Sequence, residues 1–214
     1  MEAAAPGAAA LPELAAVPWR PRASAESIRR RGQVWTAYTF AHVFPFIVAG
    51  VVLVLLDPIS IPVALACVAH AWIIPELYAS RGAGVIRRKG ARHTGAEPVA
   101  QGLLGDLLNH DERELQRETG LVMEPGELGT WLVGEAGALL LPPGGKRVHC
   151  FCVTTTDPSL PPSDRVAHLL LALRTDETGF ATVANHAFAG APWRLRRRLR
   201  PDARAALAAA RRSV

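Results

Sequence analysis

Three ionisable side chains, His42, His70 and Glu76, lie in a stretch that is otherwise almost free of charge, residues 34–79. Titratable groups in such surroundings are costly, and those that occur there usually bind, relay or pair. At the rise of an α-helix, His42 and Glu76 each stand about 24 Å from Asp57-Pro58, and His70 about 15 Å from it. Equal depth allows His42 and Glu76 to form a histidine–carboxylate pair. The mismatch of roughly 9 Å between His42 and His70 works against axial haem ligation within one chain, although two copies could pair His70 with its mate. Glu76 follows His70 by six residues and so points about 120° away around a helix. The plainer reading gives neutral His70 a carbonyl partner at a helix–helix contact, where Ala66, Cys67, Ala69 and Ala71 permit close approach.

A second set is His149, Cys150 and Cys152. On a strand the two thiols share one face and His149 takes the other. A thiol nucleophile would need His110, His168 or His186 brought to it, and nothing in the spacing demands that. A buried strand cysteine is ordinarily a packing residue. The set lacks the paired ligand motifs of a metal centre, and the chain has no P-loop, GxGxxG, GxSxG or HExxH motif. The expectation is therefore no catalytic residue, no metal and no cofactor.

The densest charge is the run Trp193, Arg194, Arg196, Arg197, Arg198 and Arg200, spaced by Leu195 and Leu199. Cations interleaved with an indole and leucines suit an anionic membrane surface. Nucleic-acid phosphates would accept the same cations but are the lesser expectation, because the neighbouring segments point to lipid. The net charge of +5 is an arginine charge, since Lys89 and Lys146 are the only lysines.

The elements that position these groups follow from hydropathy. Residues 34–56 and 59–79 are each long enough to cross about 30 Å of hydrocarbon, and only Asp57-Pro58 separates them. Arg20, Arg22 and Arg29–Arg31 precede the pair; Arg81, Arg87, Arg88, Lys89 and Arg92 follow it; the turn has no cation. Basic flanks stay in the cytoplasm, which predicts a multi-pass cell-membrane protein with both termini cytoplasmic. Trp35, Tyr38, Trp72 and Tyr78 gather toward the same end, where amphipathic rings settle. Residues 1–33 read as a disordered basic leader; Met1 to Pro18 lacks the basic n-region of a signal peptide. Residues 81–97 read as a basic linker.

Residues 98–214 read as a small cytoplasmic α+β domain with enough amphipathic segments for its own core from Thr94 onward. The pattern predicts a helix over 98–119 stopped by Gly120, strands at 128–133 and 138–141 around Gly134-Glu135-Ala136-Gly137, a turn at 142–145, and a strand over 147–155. It further predicts a helix capped by Ser163, a strand at 180–183 and a helical tail from Pro201. Three cysteines make no disulfide framework and fit a reducing compartment.

Gly95-Ala96-Glu97 opening a helix, and Trp131-Leu-Val-Gly-Glu-Ala-Gly-Ala-Leu-Leu141, resemble the nuclease-related domain family over less than a quarter of the chain. The resemblance implies a strand–glycine turn–strand unit carrying an Asp on the first strand and an acid-x-Lys on the second. Here Thr130 or Trp131 occupies the first position and Leu140-Leu141-Pro142 the second, so the acids that would cut a phosphodiester are missing.

The functional expectation is a membrane-anchored protein whose cytoplasmic domain binds a partner or the inner lipid surface, alone or as a homo-oligomer. The alternatives are a membrane-tethered enzyme, Cys-dependent or of diverged nuclease type, and a small oligomeric transport or sensing unit built on His42, His70 and Glu76.

Overall fold

The computed structural model describes residues 22–87, 95–154 and 159–213. The leader through residue 21, with Arg20, and the linker cations Arg88, Lys89 and Arg92 lie outside the described residues.

Two long apolar helices lead into a small domain of helices and one antiparallel sheet. Helix α1 spans Ala25–Leu56 and α2 spans Ile61–Gly84. Asp57 closes α1 and opens the connecting 3-10 turn Pro58–Ser60, its side chain accepting from the Ile59 amide at 2.9 Å. Both helices are long and apolar enough to cross a membrane, and their most apolar windows are only 6% and 11% buried. Those windows are therefore not packed into the core of this chain. Gly50 packs on Ala64 and Cys67 so closely that an added Cβ would stand 3.3 Å from the Ala64 carbonyl, a small-residue contact of the kind that lets helices approach.

Both helices run on past their apolar spans. Helix α1 starts nine residues before position 34, at a capping box in which Ser24 accepts from the Ser27 amide. Residues 25–33, expected as leader, are thus its first turns, and α2 likewise carries Arg81 and Gly82 within the helix. The extension has a structural cause: each helix end is one wall of the domain.

The domain is a five-stranded meander in the order β1-β2-β3-β4-β5, with all neighbours antiparallel. The strands are Val122–Pro125, Thr130–Gly134, Gly137–Leu141, Val148–Cys152 and Asn185–Gly190. Every residue of β2 and β3 is buried because helices cover both faces of the sheet. On one face Trp131, Val133, Leu140 and Phe151 pack with α3 (Glu97–Asp106), α5 (Pro162–Thr175), α6 (Glu177–Val183) and Ile28 of α1. On the other, Leu132, Leu139, Leu141 and Cys150 pack with α7 (Pro192–Arg198), α8 (Pro201–Arg212), and Ala79 and Ala83 of α2. Helix α4 (His110–Thr119) adds Leu115 there. The two legs of the hairpin therefore straddle the edge strand β5, one on each face. Gly82 is where α2 comes closest: a Cβ there would lie 2.9 Å from both Cys150 Sγ and Phe188 Cδ1.

Several expectations hold, and others are corrected. The β2–β3 hairpin and the helix from Pro201 form as read, and Gly120 ends its helix in the left-handed conformation, φ 73°. The helix expected over 98–119 is two helices, because Asn109 starts a new one through a capping box with Glu112. Residues 180–183 are helical rather than a strand; Asp176 caps α6 by accepting from the Gly179 amide. The strand falls just after, at β5, and β1 was not anticipated. Ser163 does not cap α5, which begins at Pro162; its hydroxyl donates to Glu97 Oε1 at 2.6 Å and ties α5 to α3.

The core of the sheet is not confined to residues after Thr94. Removing the hairpin uncovers Phe188 and Cys150 on one face and withdraws Ile28 from the other. A fragment starting at Thr94 is expected to lose near-ultraviolet circular dichroism and cooperative melting that the full chain shows in detergent. A cooperative transition in the fragment would mean the domain closes its core unaided.

Candidate functional site

The described site lies at the root of the hairpin, where α1, α2, β5 and α7 meet. Glu76 is buried there on α2, with its side chain 7% exposed. Arg198 donates to its Oε2 from Nε at 3.0 Å and Nη2 at 2.7 Å, and Arg194 reaches Oε1 at 3.5 Å. The spacing explains the pairing: Arg194 and Arg198 are four apart on α7 and share one face. Leu195 and Leu199 fix that helix by burying themselves in the core. The arginine run is thus divided. Arg194 and Arg198 turn toward Glu76, with Arg198 keeping 43% of its side chain exposed; Arg200 lies 3.5 Å from Asp202, and Arg196 and Arg197 are exposed without a carboxylate partner among the described residues. Trp193 stays 45% exposed, with the Arg194 and Arg197 guanidiniums 4.6 and 5.0 Å from its ring centroid. Trp72, 57% exposed on α2, lies 5.9 Å from Arg194.

The histidine–carboxylate pair does not form. Glu76 has turned to α7, and His42 instead hydrogen-bonds the Tyr38 carbonyl at 2.8 Å, with its ring 4.1 Å from that of Tyr38. Two guanidiniums, one donating twice to the same carboxylate oxygen, satisfy the buried carboxylate with charge-assisted hydrogen bonds. His70 hydrogen-bonds the Ala66 carbonyl one turn earlier in its own helix at 2.8 Å and stacks on Phe46 of α1 at 5.5 Å.

Beside the ion pair a groove of about 440 Å³ opens between α1 and β5. Phe40, Val43 and Pro75 line its apolar part, and Lys146, Arg147 and Arg194 its basic part. Arg147 donates to the Gly32 carbonyl and to Thr36 Oγ1 at 2.7 Å, joining the β3–β4 turn to α1. Sequence reasoning missed this pair of cations. The available signal was two adjacent basic residues directly after the Pro142–Gly145 turn.

Strands β4 and β5 also pair two histidines, His149 buried and His186 half-buried. A register shift between Cys150 and Phe151 brings His186 opposite Phe151 and Phe188 opposite Cys150. That bulge sends His186 to the face of His149 and Phe188 to the other. The rings share a 3.1 Å hydrogen bond and stack at 5.2 Å. Burial lowers the His149 pKa to about 3, helped by His186, Arg147 and Arg31, and burial with Arg31 lowers His186 to about 4. Cys150 lies on the opposite face against Gly82, fully buried, where burial pushes its thiol up. A thiol so placed is not ionised by these imidazoles. At the positions that match the nuclease-related family's acids, Trp131 is buried and donates to Glu177 at 2.5 Å, and Leu140 and Leu141 lie in the core. No family model, curated protein or solved structure matches the chain.

Two predictions follow from this geometry. Glu76→Gln removes the charge that holds α7 and is expected to cost about 2 kcal/mol, the scale of hydrogen bonds to charged groups, against within about 0.5 kcal/mol for the outward Arg196→Ala. Thermal unfolding of the full chain in detergent measures both, and equal effects would reject the latch. The second concerns pH. The histidine pKa values are lower folded than the ordinary 6.5, so the unfolded chain binds more protons as pH falls below 6.5. Stability is expected to be retained above pH 6.5 and to fall below it, down to about pH 4 for His186 and about pH 3 for His149. For the buried His149 the limiting slope is about 1.4 kcal/mol per pH unit. Unfolding followed against pH, compared with His149→Asn, should show the slope flatten in the variant.

Proposed function

We propose that the protein is a multi-pass membrane protein, anchored by α1 and α2 with both termini cytoplasmic, whose domain is a binding module held at the inner lipid surface. The observation that carries this reading is the collar of Trp72, Trp193, Arg194 and Arg197 where the exposed apolar helices enter the domain. Indole rings and guanidiniums at one level are the composition of a membrane–water interface. The opposite end, Asp57 to Ser60, carries no cation, as an outward-facing turn would. Arg196 and Arg197 remain available to anionic headgroups, each contributing about 1 kcal/mol near the surface. The neutral, stacked histidines and the packing thiol supply no chemistry to this reading, so we place function in binding rather than in catalysis.

A reporter fused after Val214 is expected to behave as cytoplasmic, and a cysteine introduced at Ile59 to label from outside; an external reporter would reverse the topology. For the surface, the full chain in nanodiscs is treated with trypsin at Arg196 and Arg197. Anionic lipid is expected to protect them at low salt and release them at high salt, because screening shortens the reach of surface charge. Trp193→Ala should speed cleavage. Equal cleavage in zwitterionic and anionic discs, with a shift of RNA or DNA on a gel, would transfer the block to nucleic acid.

A further inference from the structure

We propose that the groove at the hairpin root is a binding site for one anionic phospholipid, its phosphate held by Lys146, Arg147 and Arg194 and one acyl chain laid along Phe40, Val43 and Pro75. The inference rests on the membrane placement proposed above and names the ligand of that same root.

Its basis is the order of chemistry along the groove. The basic part is built from the β3–β4 turn and α7, at the domain. The apolar part climbs α1, where Thr36 and Val43 are separated by about 10 Å of helical rise, and continues into the exposed apolar flank, where Phe40 is 61% exposed. That polarity is the polarity of a lipid lying in the inner leaflet. No carboxylate is among the residues lining the groove; Glu76 is occupied by Arg198 and Arg194 beside it. Charge complementarity therefore selects an anion. Arg147 is held in place by Gly32 and Thr36, and among the described residues no acid pairs with it. Lys146 is exposed and has no ion-pair partner among the described residues. The size agrees as well. About 440 Å³ is within the range of small-ligand sites, roughly 300–1,000 Å³, and equals about fifteen water volumes of roughly 30 Å³. That space takes a headgroup and the first methylenes of one chain, leaving the remainder on the apolar flank.

The test uses the full chain, delipidated in detergent and titrated with phosphatidylglycerol or phosphatidylcholine of equal chain length, with bound lipid read by native mass spectrometry. Glycerol 3-phosphate is the chainless probe. Phosphatidylglycerol is expected to bind about tenfold more tightly than phosphatidylcholine. Lys146→Ala, at an exposed position, should weaken phosphatidylglycerol about fivefold, as loss of one cation near an anion does, and weaken phosphatidylcholine less, because its choline cation already offsets the phosphate charge. Val43→Trp, which fills the apolar part, should weaken both. Equal affinity for the two lipids, or indifference to Lys146→Ala, would overturn the site. Glycerol 3-phosphate binding as tightly as phosphatidylglycerol would overturn the lipid as occupant in favour of a soluble phosphate compound. Because these titrations are made in detergent, they are read separately from alkaline extraction of native membranes. Release of the chain by alkali would sink the anchoring reading whatever the groove binds.

Discussion

The arrangement depends on one constraint: the two legs of a helical hairpin must pass on opposite faces of the same edge strand. Strand β5 lies between α1 and α2, and the crotch above it is filled by aromatic side chains. Trp35 meets Tyr78 at 5.7 Å, Phe188 at 6.0 Å and His186 at 6.1 Å, all near edge-to-face. One indole thus touches the second leg and a residue on each face of the strand. Much else is determined by that wedge. The β-bulge is needed so that β5 can present His186 to one leg and Phe188 to the other. Gly32 and Gly82 are needed where the legs come nearest, against Arg147 and His149 on one side and Cys150 and Phe188 on the other.

The polar groups at the root are arranged by the same geometry. A carboxylate buried at the foot of α2 would be costly without partners, and α7 supplies two guanidiniums from one helical face. The remaining cations of that helix are left outside, beside Trp193. The run of arginines so does two things at once: one part closes the fold, the other faces the surroundings. Arg147 has a comparable double position, donating to α1 while lining the groove.

Local elements were legible in the sequence where a single rule governs them. Two uncharged spans around Asp57-Pro58, the glycine-flanked β2–β3 turn and the left-handed Gly120 all follow from spacing. Asn109-x-x-Glu112 was equally legible, a capping box inside an amphipathic run, but the continuous leucine periodicity obscured it. Phe180–Val183 is apolar and β-like in composition, and only the Asp176 cap marks it as a helix. The long-range pairings were not legible. Glu76 finds Arg198 across 122 residues, and equal depth along a helix says nothing of which other helix will pack there. The groove was hidden for the same reason: its walls come from four separate stretches of chain.

The straddled strand also orders events during synthesis. Ile28 is made early, yet its neighbours Leu170 and Phe180 in the core follow after both long helices and most of the sheet. Strand β5, which the legs enclose, is nearly the last element formed. Neither face of the sheet can close until α1 and α2 lie side by side with their lower ends on the same side. Under the proposed membrane placement, correct insertion becomes a checkpoint for the domain. A chain whose second helix failed to return would hold Ile28 and Ala83 on opposite sides of the bilayer, with both halves of the core left open to quality control.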